Sequence, residues 1–185
     1  MKRAAYALLL ATILAGCATY SLVEPKRTAI GDRYTVEPQI PWSSAKSGKY
    51  ETWTVDGGAL QQIQFVIGLD DGEPLFKGKE QHEKQSFKKS MSVSEIMELV
   101  VDGLSVEGAQ KLEAKNLKPF PFGGKPGFRF ELNFVTQNGL ENAGLVVGSV
   151  IMDKLYLVKY TGARAHYFPK YRAHVERIIE SILMQ

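Results

Sequence analysis

The parts from which this chain could build a reactive centre are few: one cysteine, Cys17, and three histidines, His82, His166 and His174. Serine chemistry lacks its usual setting, because no Gly-x-Ser-x-Gly elbow occurs. Serines 43, 44, 86, 90, 92 and 94 fall where turns and helix caps are expected. His82 lies in KGKEQHEKQSFKK (77–89), where five lysines outnumber two glutamates, the pattern of a solvated basic loop. A metal site would want His or carboxylates at helical spacing, or a compact Cys/His set. Glu80, His82 and Glu83 have no such framework. Asp70-Asp71 before Gly72 reads as a polar turn, since a calcium loop would need further oxygen ligands at regular spacing. No residue set calls for a cofactor or metal, and no paired acid and base emerges, so the expectation is a protein that is not an enzyme.

Binding chemistry has better candidates. The stretch YTGARAHYFPKYRAHVER (160–177) interleaves Arg164, Lys170, Arg172 and Arg177 with Tyr160, Tyr167, Phe168 and Tyr171, and contains His166 and His174. Cations near a helix start could hold a phosphate or sulfate headgroup, assisted by backbone N–H groups. The competing reading makes Tyr167 and Phe168 a plug between strand and helix, with Arg172 facing solvent. PFPFGGKPGFRF (119–130) is no P-loop: the spacing to Lys125 is wrong, no Ser or Thr follows, and a strand comes next. It reads as a mobile turn with an aromatic rim, able to touch a partner. The candidate binding residues are therefore Arg164, His166, Tyr167, Lys170, Arg172 and Lys125. Trp42 and Trp53 could line a pocket, although tryptophan in a half-buried sheet is usually core or rim.

The elements that must position these residues show in the periodicity. In LQQIQFVIGL (60–69), Ile63, Phe65, Ile67 and Leu69 alternate with polar residues. In FRFELNFV (128–135), Phe128, Phe130, Leu132 and Phe134 do so against Arg129, Glu131 and Asn133. Period 2 predicts strands. ETWTV (51–55) runs into Asp56-Gly57-Gly58, so 50–69 reads as a hairpin. LVVGSVIM (145–152) and LYLVKY (155–160), joined at Asp153-Lys154, are apolar with little alternation and predict a central hairpin covered on both faces. RYTVE (33–37) and KLEAKNLK (111–118) are shorter strand candidates. Ser92 and Glu95 form a capping box before a helical stripe of Val93, Ile96, Met97, Val100 and Leu104. A second stripe, Tyr171, Val175, Ile178, Ile179 and Ile182, opens near Pro169. The fold class expected is α+β, an antiparallel sheet with helices packed on it.

The N-terminus supplies an address. Met1-Lys2-Arg3 precedes the apolar stretch 4–14 and then small residues, the layout of a secretory signal peptide. No later run reaches the roughly 18 apolar residues that a transmembrane helix needs. Leu14-Ala15-Gly16-Cys17 resembles the lipobox of bacterial lipoproteins. That resemblance implies cleavage between Gly16 and Cys17 and acylation of Cys17, including palmitate. With Ala18 rather than aspartate following, it implies an outer-membrane, periplasm-facing position in the cell envelope. The expected division is a signal peptide over 1–16, a tether over 17–32 and one domain over 33–185. Loss of Lys2 and Arg3 lowers the formal charge from +3 to +1, which makes no global case for nucleic acid.

SEIMELVVDGL, then strands, then GLVVGSVIMDKLYLVKYTG and YFPKYRAHVERIIESI, resembles small envelope proteins of the PsbP/Mog-type, DcrB-like family. The resemblance implies an α/β/α sandwich acting as an assembly factor or binding module, and carries over no active site. The expected function is a lipid-anchored, non-catalytic binding or assembly module with an envelope protein partner, held on the membrane by acyl chains. The alternatives are a small-ligand or lipid carrier, with a cavity lined by the apolar faces of 63–69 and 128–134, and a cell-wall hydrolase using His166 or His174.

Overall fold

A computed structural model describes residues 20–75 and 86–185. The expected signal peptide, with Gly16, and Cys17 and His82 lie outside them. Each alternating segment forms a strand because one set of side chains is buried and the other is not. In chain order the elements are β1 (Ser21–Val23), β2 (Thr28–Ile30), β3 (Tyr34–Val36), β4 (Trp42–Ser47), β5 (Tyr50–Thr54), β6 (Gln61–Leu69), α1 (Val93–Val106), β7 (Gln110–Pro119), β8 (Phe128–Val135), β9 (Glu141–Ile151), β10 (Lys154–Ala163), α2 (Tyr167–Glu180) and β11 (Leu183–Met184). Eight strands make one antiparallel sheet in the order β1-β4-β5-β6-β10-β9-β8-β7, and β11-β3-β2 make a second, small one. One face of the large sheet carries α1. The other carries α2 and the small sheet.

β9 and β10 sit at the centre and are buried on both faces, as their unbroken apolar runs require. At Gly148 in β9 a Cβ would lie 2.3 Å from the Leu157 side chain and 2.7 Å from the Tyr156 carbonyl, so only glycine lets these strands approach. The hairpin turns at Met152 and Asp153, one residue earlier than Asp153-Lys154, with φ of 49° and 61°.

Two readings are corrected. Residues 17–32 are not a tether throughout: Ser21, Leu22 and Val23 pair with Ser44, Ser43 and Trp42, and β2 pairs with β3. Strands of three residues are too short to display a period. Leu69 does not share the face of Ile63, Phe65 and Ile67. Gly68 has φ +72° beside a register shift between β6 and β10, and the Tyr156 ring lies over it. This bulge turns Leu69 to the α1 side.

The capping box forms as expected, with Ser92 N–H donating to Glu95 Oε2 at 2.6 Å and Glu95 N–H to Ser92 Oγ at 3.3 Å. α1 buries Ile96, Leu99, Val100, Gly103 and Leu104, whereas Val93 is exposed. α2 carries Pro169 in its first turn, where an N–H has no intrahelical acceptor. It buries Phe168, Tyr171, Val175, Ile178 and Ile179, and Ile182 follows in the turn before β11. Trp42 and Trp53 are core residues, 1% and 0% exposed.

Candidate functional site

The structure surrounds the basic-aromatic stretch with acids. Lys170 Nζ lies 3.0 Å from Asp56 Oδ2, and the Tyr171 hydroxyl donates to the same oxygen at 2.5 Å. That hydrogen bond, with Lys170 second, lowers the Asp56 carboxyl below its usual range. Arg172 lies 3.2 Å from Glu131 and 3.6 Å from Glu176, and stacks over Phe168. Arg164 is 3.9 Å from Glu141. The Tyr160 hydroxyl donates to the carbonyls of Tyr167 and Phe168, each at 3.0 Å, and its ring stacks on Phe168. These aromatics therefore plug the strand–helix junction. His166 is exposed, edge-on to Tyr167, and gives α2 no side-chain cap.

Lys125 belongs to a different place. A Cβ on Gly123, two residues before it, would meet Ile182 and Met184, so this turn sits by the far end of α2. Fourteen helical residues, about 20 Å of rise, separate it from His166. The two candidate surfaces do not converge. His166 and His174 are also about 12 Å apart along α2. The polar face of β8 is turned to that helix: Arg129 holds Glu176 through two bonds of 2.8 and 2.6 Å, and Glu131 holds Arg172. Asp70, read as part of a turn, also joins Lys154 and Lys49, and those bonds lower its pKa to about 2.

The site that the residue-by-residue reading passed over lies on the α1 side. Alternation in β10 turns Leu155, Leu157, Lys159 and Thr161 to this face, and the register sets Lys159 beside Gln64 and Thr161 beside Gln62. Lys159 is only 5% exposed and lines a cleft of about 260 Å³. The end of α1 forms one wall through Leu104 and Glu107, and the β8–β9 turn forms another through Thr136, Gln137 and Asn138. Burial pushes the Lys159 ammonium down from its ordinary value, and the Glu107 carboxylate opposes that shift. A cation partly stripped of water, with amides and hydroxyls beside it as well as the Glu107 carboxylate, can hold a small carboxylate or phosphate group. A signal for it was present: a lysine inside a strand expected to be covered on both faces must be buried. Glu51, 1% exposed on β5, is a second buried charge that the sequence reading did not single out.

No family model matches the chain, and no curated protein matches it in sequence. Solved structures do resemble it in shape. Cyanobacterial PsbP (CyanoP) from Synechocystis aligns over 92% of this chain and 95% of its own, with a TM-score of 0.57 and 11% identity. The Ran-binding protein Mog1p of Saccharomyces cerevisiae aligns over 90% and 95%, with a TM-score of 0.50 and 11% identity. LpqN of Mycobacterium tuberculosis, involved in cell envelope biogenesis, lies further off, covering 93% and 87% with a TM-score of 0.40 and 7% identity. An antiparallel sheet between helical layers, matched along nearly its whole length to PsbP and Mog1p, makes this a PsbP-like fold.

Proposed function

We propose that this chain is a lipid-anchored module of the cell envelope that binds an acidic group of another envelope protein and carries out no chemistry of its own. The observation that carries the binding reading is Lys159, a buried cation that lines a polar cleft. Lys159 already has interactions within the protein, the Glu107 carboxylate among them, and a partner's carboxylate entering the cleft adds a charge-assisted hydrogen bond to these. The lipobox supports the anchor: acyl chains on Cys17, after removal of residues 1–16, hold the domain on the periplasmic face of the outer membrane.

The carrier alternative loses its cavity. Ile63 and Phe65 pack on the α2 side of the sheet and Phe128, Phe130, Leu132 and Phe134 on the α1 side, so the two apolar faces cannot line one space.

A photocrosslinking residue at Gln137, exposed at the cleft mouth, tests the binding reading in cells. One envelope protein should be captured reproducibly, and Lys159→Met should abolish its capture. Capture that persists in Lys159→Met, or no captured species, defeats the assignment. Labelled palmitate should enter the wild type and not Cys17→Ala. Equal labelling of both rejects the anchor.

A further inference from the structure

A groove on the opposite side of the sheet has a different chemistry. β4 and β5 turn Ser44, Lys46 and Glu51 toward the α2 side, just beyond the edge strand β1. Glu51 Oε1 accepts hydrogen bonds from Ser44 Oγ at 2.8 Å and Trp53 Nε1 at 2.7 Å. Its Oε2 is buried and accepts none. The charge facing Oε2 is Lys46, with Nζ 3.4 Å away on a side chain 62% exposed. This carboxylate lines a groove of about 370 Å³, together with Ser21, Glu24, Lys26, Thr28, Ser44 and Lys46. Lys26 is paired with Glu24. The groove thus holds two carboxylates and two ammonium groups, a match for a ligand that carries both charges.

We infer that this groove receives the phosphoethanolamine headgroup of a bilayer lipid, its ammonium donating to Glu51 Oε2 and its phosphate set between Lys26 and Lys46. At 3.4 Å the Lys46 ammonium pairs with Oε2 without hydrogen-bonding it, and a primary ammonium that approaches more closely supplies that bond from one of its three N–H donors. A choline headgroup has no N–H and cannot do so. Lys46, 62% exposed, can turn from Glu51 to the phosphate because the ligand's ammonium takes its place beside the buried carboxylate.

The choice of a lipid rests on the anchor reading above. Ser21, which lines the groove, is four residues after Cys17, and four residues span at most about 14 Å. Acylation of Cys17 therefore keeps the groove at the headgroup layer. Tyr20 and Leu22 at the same edge are 52% and 71% exposed, apolar side chains suited to an interface between water and lipid.

The test uses the mature chain with Cys17→Ser, so that binding owes nothing to acylation. Vesicles of phosphatidylcholine containing phosphatidylethanolamine should bind it about tenfold more tightly than phosphatidylcholine alone. Glu51→Gln should remove the preference, and Thr28→Trp, which fills the groove from its rim, should do the same if Glu51→Gln does not fold. Free O-phosphoethanolamine at matched headgroup concentration should compete weakly, because it lacks the bilayer contacts of Tyr20 and Leu22. Equal binding to both vesicles, a preference that survives filling the groove, or full competition by the free compound overturns the inference. Each of these results leaves palmitate labelling of Cys17 standing, and a failure of labelling leaves the vesicle preference standing.

Discussion

On the α2 side of the large sheet, Trp42, Trp53, Phe65, Tyr156 and Tyr160 share one core with Tyr34 and Phe122; the Trp53 and Phe65 ring centroids are 4.9 Å apart, and Tyr34 meets Phe122 at 5.6 Å. The small sheet and α2 close over them. The α1 side is apolar around Phe87, Phe128 and Phe130, but where β6 and β10 present Gln62, Gln64, Lys159 and Thr161 it opens into a polar cleft. One face thus concentrates aromatic packing, and the other leaves a buried cation within reach of a ligand. Alternation lets each strand serve the two faces independently, so the same strands build a packed core under α2, with the Glu51 groove at its β1 edge, and an open polar cleft on the α1 side.

The largest expected effect comes from attacking the packed face. Trp53→Ala removes a side chain that is 0% exposed and strips Glu51 Oε1 of a donor, so denaturant unfolding should show a loss of about 3–5 kcal/mol. A loss under about 1 kcal/mol would erase the contrast between the faces.

Lys159→Met should act in the opposite direction. Replacing a buried cation by an apolar chain of similar length removes the cost of burying the charge along with the contacts the ammonium makes, and because burial outweighs the Glu107 attraction the net should modestly favour the variant at neutral pH. The sign of the pH dependence follows from the lowered pKa. The unfolded chain binds the Lys159 proton more tightly than the folded one, so wild-type stability rises as pH climbs from the lowered value toward 10.5. The advantage of the Met variant should shrink over that range. Urea midpoints at stepped pH read it out, and an advantage constant with pH would mean that no charge is buried there.

Ser92→Ala probes the helix that walls the cleft. Loss of the capping box should cost about 1 kcal/mol, with Ser92→Asp restoring most of it. A calorimetric comparison that finds no difference would show that α1 is held by packing alone.

Asp70→Asn, at the rim shared by β6 and β10, should change least and only in acid. The folded pKa of Asp70 is lowered, so its contribution is complete above 3.8 and fades as pH falls toward about 2. The variant should lack that part of the acid limb, and an unchanged limb would remove Asp70 from the ion-pair group.

Much of the framework was legible because its signals are local. The alternation of 128–135 became β8 with Phe128, Phe130, Leu132 and Phe134 on one face, and Ser92 with Glu95 became the capping box. The candidate site was less legible. Arg172 and Lys170 looked available in the sequence, but Glu131, Glu176 and Asp56 reach them from other elements. Lys159 passed as one polar residue in an apolar run, since its burial depends on α1 and the β8–β9 turn closing over it. The strands at 21–23 and 28–30 carried too few residues for a period, and their partners lie elsewhere in the chain.

The amino-acid order alone determined the longer strands and both helices, because side-chain periodicity and caps act over a few residues, while the short strands β1, β2 and β11 are extended by their pairing. Only the tertiary structure decided which strands are neighbours, to which face Gly68 turns Leu69, which cations meet acids and where Glu51 and Lys159 are buried. Those outcomes depend on pairings between residues distant in the chain, and burial is a property of the assembled layers rather than of any one segment.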